Sequence, residues 1–316
     1  MAAGKTRATV GPAASALRLG AAAALALMGL PGGGLSAAPT RLDTLHALVA
    51  TNLDNYVEWF DRFFGDERLK DDNRRTRVTL GAGITFDAED GVSLETEFSA
   101  RLALPALERR LHLIVDDAFE ADRANALVES LRESAPDAAA RFILKDTDRL
   151  RFNADAGLRL GDPAQALLRV RARAVFRTGE WELRPSEVVR YYSHDGFSAT
   201  TELRCTRILG DSWMFRSTTD LTWEEVSAGV TPAQAFMLFD EISPRRSQKL
   251  DISAAWPEWP HPARTVYALA FTYRQRIYRD WLYVETTPGV RFRQTERYEA
   301  TPFLTILFEV VFGPGY

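Results

Sequence analysis

The chain has 316 residues, a formal net charge of −4, a hydrophobic fraction of 46% and a single cysteine. One cysteine rules out an internal disulfide framework, and no run of 18 apolar residues offers a membrane-spanning helix. The acidic balance argues against nucleic acid as a partner.

Residues 1–37 read as a secretory signal peptide. Lys5, Arg7 and Arg18 form the positive n-region, Ala21 to Leu30 the short apolar stretch, and Leu35-Ser36-Ala37 a small-residue cleavage site, with cleavage expected near Ala37. Its removal takes three positive charges and moves the net charge to −7. Residues 38–76 follow as an amphipathic helix and its linker. Leu42, Leu45, Leu48, Val49, Leu53, Tyr56, Phe60, Phe63 and Phe64 recur at spacings of three and four across 41–64. Gly65 ends the helix, and Asp66 to Arg77 is a charged connection.

From residue 77 the period changes from 3.6 to two. Arg149 to Leu160 reads Arg-Leu-Arg-Phe-Asn-Ala-Asp-Ala-Gly-Leu-Arg-Leu, and similar alternation returns down to Phe312. A strand sends successive side chains to opposite faces, so each segment has one apolar and one polar face. Fourteen strands are expected, near 77–87, 92–104, 110–116, 138–145, 149–160, 166–177, 181–192, 197–208, 213–224, 233–241, 248–256, 264–278, 281–293 and 302–312, with twelve as the fallback count. The third, fourth and tenth have the least pronounced pattern. Asp90-Gly91 and Asp195-Gly196 are hairpin-turn signals. Residues 117–137 form a long acidic loop with a short helix suggested by Ala126, Leu127 and Leu131. Alternate connections sort into a short set and a longer set, the asymmetry of periplasmic turns and external loops.

Alternation fits both a membrane barrel and a soluble sandwich. Two features favour lipid. Trp181, Tyr191, Trp213, Trp223, Trp256, Tyr267, Tyr278, Trp281 and Phe312 gather at strand ends, as interfacial girdles require. The strands also exceed the ordinary soluble length of roughly 5–6 residues. The expected fold is therefore all-β: an antiparallel outer-membrane β-barrel over 77–316, preceded by the N-terminal helix. A soluble periplasmic β-sandwich binding module is the alternative.

Several stretches carry a resemblance. Ile277 to Glu285, Pro288 to Phe292, Thr301-Pro302, Phe308 to Gly313, Asp61 to Glu67, and the turn from Leu104-Pro105 to Arg110-Leu111 resemble an uncharacterised family of proteobacterial outer-membrane β-barrel proteins. The resemblance covers most of the mature chain and implies a fold, with no activity attached. It departs at the C-terminus, where Gly-Pro-Gly-Tyr follows Phe312; either Phe312 or Tyr316 serves as the terminal aromatic for the barrel-assembly machinery.

The polar face supplies the candidate functional residues. Arg149, Arg151, Arg159, Arg169, Arg171, Arg173, Arg177 and Arg184 form a basic wall, with Glu95, Glu97, Glu202, Asp220, Glu224 and Glu309 facing the same lumen. Of the 39 basic residues only four are lysine, and arginine suits a crowded polar interior through bidentate pairing. Two functions follow: a narrow anion-favouring pore, or a non-conducting structural or interaction barrel sealed by internal ion pairs. No catalytic, metal or cofactor site is expected. His194-Asp195, with Ser193 and Ser198 near, is the one catalytic-looking group, and it reads first as a hairpin turn. Cys205 falls on an apolar face as a small hydrophobe. Outer-membrane lipid is the expected partner.

Overall fold

A computed structural model describes residues 77–103, 111–116, 137–147, 149–160, 163–227, 229–262, 264–278 and 281–312. The expected signal peptide, the helix over 41–64 and the helix suggested within 117–137 lie outside the described residues. Fifteen strand segments follow one another: β1 (Arg77–Asp87), β2 (Gly91–Ala103), β3 (Leu111–Asp116), β4 (Asp137–Asp146), β5 (Leu150–Arg159), β6 (Gln165–Ala174), β7 (Phe176–Thr178) and β8 (Trp181–Tyr192). Then come β9 (Gly196–Leu209), β10 (Trp213–Glu224), β11 (Val230–Ser243), β12 (Arg246–Ala255), β13 (Val266–Tyr278), β14 (Leu282–Arg293) and β15 (Ala300–Phe312).

Every ladder is antiparallel, and consecutive strands pair from β1 to β6 and from β8 to β15. Two further ladders join these runs into a ring. β1 pairs β15 from Val78↔Phe312 to Asp87↔Phe303, and β6 pairs β8 from Leu167↔Tyr192 to Arg173↔Ser186. β7 continues β6 in the same register against β8, with Phe176↔Leu183 and Arg177↔Glu182. Ala174 and Val175 leave that ladder, the Val175 N–H turning to the Arg149 carbonyl at 2.9 Å. The fifteen segments are therefore fourteen staves, which agrees with the fourteen strands expected.

Alternation decides the faces. In β6, Gln165, Leu167, Arg169 and Arg171 are buried, whereas Ala166, Leu168 and Val170 are exposed. Leucine exposed and arginine buried is the inverse of a water-soluble sheet, and it is what a barrel bathed in lipid requires. The outward apolar residues include Leu80, Phe86, Leu94, Leu158, Leu168, Phe236, Ile252, Leu269 and Phe308. Aromatic pairs stand at both strand ends. Trp181 meets Phe215 edge-on at 6.3 Å and Tyr278 meets Trp281 at 5.4 Å at one level; Tyr191 meets Phe197 at 4.9 Å and Trp256 meets Tyr267 at 6.3 Å at the other.

The connections keep part of the asymmetry. β7–β8, β9–β10 and β11–β12 are joined at one end by 179–180, 210–212 and 244–245; at the other, 225–229, 256–265 and 294–299 are longer, while 88–90 and 193–195 are short hairpin turns. The 294–299 connection holds a single 3-10 turn, Gln294–Glu296. At the first hairpin the Asp87 carboxylate accepts from the Glu89 and Asp90 N–H groups at 2.9 and 3.1 Å, and Gly91 takes φ 80°, which glycine adopts without strain.

Candidate functional site: the inner wall

Inward positions of neighbouring staves line up in rows, because antiparallel partners share a face. The longest charged row crosses β4, β5, β6 and β8 as Arg141↔Asp155↔Arg169↔Arg190. Arg141 donates from Nε to Asp155 Oδ1 at 2.9 Å and from Nη2 to Oδ2 at 3.0 Å. Arg169 donates Nε to the same Oδ2 at 2.6 Å and adds a second contact through Nη2. Asp155 and Arg169 are 3% and 1% exposed.

Other rows repeat the theme. Toward the short-turn end, Arg151 pairs Asp146 at 2.8 Å, and Glu182 receives Arg184 and Arg177. Toward the long-loop end, Arg159 pairs Asp137 at 3.3 Å and stacks over the Tyr192 ring at 3.7 Å. Across the barrel, Arg274 joins Glu285 at 3.1 Å and Glu309, while Lys249 meets Asp251 at 3.0 Å. Charge-assisted pairs of this kind satisfy groups that the lumen would otherwise leave desolvated.

The nine lumen candidates fall as follows. Arg151, Arg159, Arg169, Arg171 and Arg173 occupy inward positions of β5 and β6, and Arg169 and Arg171 are buried. Arg177 stands at the exposed end of β7. Arg149, expected on the wall, lies instead in the bend before β5 and is exposed, since the strand starts one residue later to let its carbonyl take the Val175 N–H. Glu95 and Glu97 lie in β2 opposite Gly83 and Gly81; their side chains fall outside the described residues.

Of the carboxylates that hold the described arginines, Glu202 and Glu309 were among the residues read from the sequence, and others were missed. Asp137, Asp146, Asp155 and Glu182 had a readable signal: Asp155 shares the odd-numbered parity of Arg151 and Arg159 on one strand, and a same-face acid among arginines marks a partner. A second missed feature is apolar. Met214, Ala233, Ala235, Met237, Phe239 and Ala255 are inward on β10–β12 and buried, so the inner face is polar on one side and includes an oily strip on the other.

Charge is uneven round the ring. The described inward positions of β4–β9 carry Arg141, Arg151, Arg159, Arg169, Arg171, Arg173, Arg177, Arg184, Arg190 and Arg204 against Asp137, Asp146, Asp155, Glu182 and Glu202. On β10–β15 and β1 the balance is even: Arg216, Lys249, Arg274, Arg276, Arg291 and Arg293 against Asp220, Glu224, Asp251, Glu285, Glu309 and Asp87.

The Ser193-His194-Asp195 group forms the turn between β8 and β9. Ser193 Oγ accepts from the Ala166 N–H at 3.0 Å, and Asp195 accepts from Gln165 at 3.0 Å and Arg159 at 3.5 Å. The acid and hydroxyl thus secure the rim. Cys205 lies on the outward row Leu183–Cys205–Ser217, half-exposed.

No family model matches the chain, and no curated protein does. Solved structures with a similar fold include proteins described as outer-membrane proteins and as a channel. A loop-deletion form of OmpT, an outer membrane protein of Vibrio cholerae, is 9% identical with a TM-score of 0.47, covering 75% of this chain and 98% of that one. The CymD monoaromatic hydrocarbon channel is 9% identical with a TM-score of 0.46, covering 77% and 88%. The outer membrane protein OpdK of Pseudomonas aeruginosa is 9% identical with a TM-score of 0.44, covering 76% and 98%. Identity and superposition at this level carry nothing about cargo, and the fold rests on the ring of ladders and its inverted faces: an antiparallel β-barrel of outer-membrane type.

Proposed function

We propose that the chain is an outer-membrane channel for small anions, with a lumen narrowed by ion-paired rows. The observation that carries this reading is the surplus of arginine on β4–β9, ten inward arginines to five carboxylates, facing a wall whose charges balance. A one-signed stripe against low-dielectric walls concentrates the opposite ion. Export by the segment 1–37 and outer-membrane placement belong to the same reading.

A second reading has its own support. Arg169, Arg204, Arg216 and Arg274 are each only 1% exposed, and a lumen whose arginines are that dry is closed at their level. The barrel would then be structural or an interaction scaffold, sealed by its own pairs.

Planar-bilayer recording of the full-length refolded protein separates them. Anion-favouring steps that weaken when Arg169, Arg171 and Arg173 become Gln support the channel. Silence in the full-length protein and in a form lacking residues 41–70 rejects conduction and leaves the sealed barrel. Cation preference overturns the assignment of the basic wall.

A further inference from the structure

A lumen ringed by fourteen staves is wider than its wall side chains can fill, since about eight staves is the width at which they meet. Yet part of this wall is both apolar and dry. On β11 every inward position from Ala233 to Phe239 is apolar: Ala233, Ala235, Met237 and Phe239, each 3% exposed or less. Met214 on β10 and Ala255 on β12 extend the strip at its two ends, both 0% exposed. An alanine cannot dry itself. The row neighbours of Ala235, Thr218 and Ser253, are short as well, so what keeps water off the strip stands on its lumen side. An apolar surface inside a polar lumen calls for an apolar partner.

The chain itself offers one. Residues 38–76 join β1 at Arg77, which lies at the short-turn end of the ring. Met214 and Phe239 pair near that same end, close to the turns 210–212 and 244–245. The helix expected over 41–64 carries nine apolar residues in one stripe and would be about 36 Å long. The strip from Ala233 to Phe239 runs about 20 Å along β11, so the stripe is long enough to cover it. Residues 65–76 reach about 40 Å when extended, enough to carry the stripe from Arg77 to β11.

Charge selects the orientation. At roughly 100° per residue, Asp43, Asp54, Glu58 and Asp61 fall about 120–180° round from the middle of the apolar stripe. β4 stands nearly opposite β11, six staves away in one direction and eight in the other, and β4–β9 carry the surplus of inward arginine. One placement satisfies both faces: leucines and phenylalanines on the strip, carboxylates toward the arginines.

We propose that segment 41–64 of this chain docks inside the barrel, its apolar stripe on the β10–β12 strip and its acids toward the arginines of β4–β9. The barrel then carries its own plug, inserted from the short-turn end. The inference does not depend on whether the lumen conducts, and its test reads position rather than current.

A benzophenone amino acid in place of Phe60 in the full-length chain, irradiated in native outer membranes, is expected to link to β10–β12 peptides at monomer mass, as read by mass spectrometry. A thiol gives an independent reading. In a Cys205→Ser background, Ala235→Cys is expected to resist a small water-soluble maleimide, whereas Val226→Cys, in a loop and 71% exposed, labels fully. Changing Leu53 and Phe60 to Asp in the full chain is expected to abolish the protection of Ala235→Cys. Each variant must keep the gel shift between unheated and boiled samples, which certifies a folded barrel. Photolinks to β4–β9 alone or to another polypeptide overturn the proposal, and so does the absence of any link in a folded barrel. Labelling of Ala235→Cys in the parent barrel, or protection that survives the double Asp change, overturns it too.

Discussion

Asp155 accepts both forks of the Arg141 guanidinium, Nε at 2.9 Å and Nη2 at 3.0 Å, from the neighbouring stave. The same carboxylate also receives Arg169 from the other side, so one acid bridges three staves. Removing it leaves two buried guanidinium groups facing each other across an uncharged side chain. Asp155→Asn is therefore expected to cost about 3–5 kcal/mol, the range for breaking a buried pair. The contrast is Arg207 with Glu180 at an exposed turn, where Arg207→Ala is expected to cost less than about 1 kcal/mol. Urea unfolding in detergent, followed by tryptophan fluorescence, measures both. Equal costs would mean that the buried row adds nothing beyond surface pairing.

Val170 and Arg171 test the faces. Val170 is 42% exposed and Arg171 8%, so a charge at 170 meets lipid. Val170→Arg is expected to lose roughly 2–4 kcal/mol near mid-membrane, and Arg171→Val less. If Val170→Arg assembles normally in the outer membrane while Arg171→Val fails, the faces are reversed.

Those two residues also show what was legible. Period-two patterning announced the strands, their number and their parity, because a strand in lipid keeps most outward residues apolar and every register slip inverts the faces. β1, β8 and β10 start and end where the alternation does. The strand near 233–241 extends to Val230–Ser243 because Thr231 and Pro232 continue the ladder against Thr222 and Leu221, and polar residues with a proline mask a strand end. Pairing across staves was not legible. Asp155 and Arg141 are 14 residues apart, and only the register of β4 on β5 brings them together.

Gly157 is a third point of test. It sits opposite Ala139, where an added Cβ would meet the Ala138 carbonyl oxygen at 2.0 Å and Ala139 Cα at 2.6 Å. Both are backbone atoms that cannot swing aside. Gly157→Ala is expected to pry β4 from β5 and to destabilise by about 1–3 kcal/mol, the cost typical of overpacking. Gly91→Ala meets no atom within 4 Å, and its cost comes only from the left-handed backbone. A lowered unfolding midpoint in both, with the gel shift of heated samples lost at a lower temperature for Gly157→Ala, is the expected reading. An unchanged Gly157→Ala barrel would show that β4 and β5 stand farther apart than described.

The long-loop rim titrates. Glu89, in the β1–β2 turn, hydrogen-bonds Glu296 in the 3-10 turn, and that bond holds its carboxyl above the ordinary range. Burial alone would push Glu296 up as well. The hydrogen bonds from Arg293 and Thr301 outweigh it, and Glu296 lies below its usual value. The raised group sets the sign: a link that needs Glu89 protonated is fully present below the unfolded value, about 4.3, and is lost as pH rises through the raised folded value. The contact between the two loops is thus an acid-side feature. Carbon-13 titration of the glutamate carboxyls in the refolded barrel is expected to place Glu89 above and Glu296 below the ordinary midpoint. Glu89→Ala removes the donor and is expected to raise the Glu296 midpoint, whereas Glu89→Gln keeps an N–H donor at every pH and leaves it low. If Glu89→Ala and Glu89→Gln shift Glu296 alike, the proton is not shared between the loops, and Arg293 with Thr301 alone sets the Glu296 carboxyl.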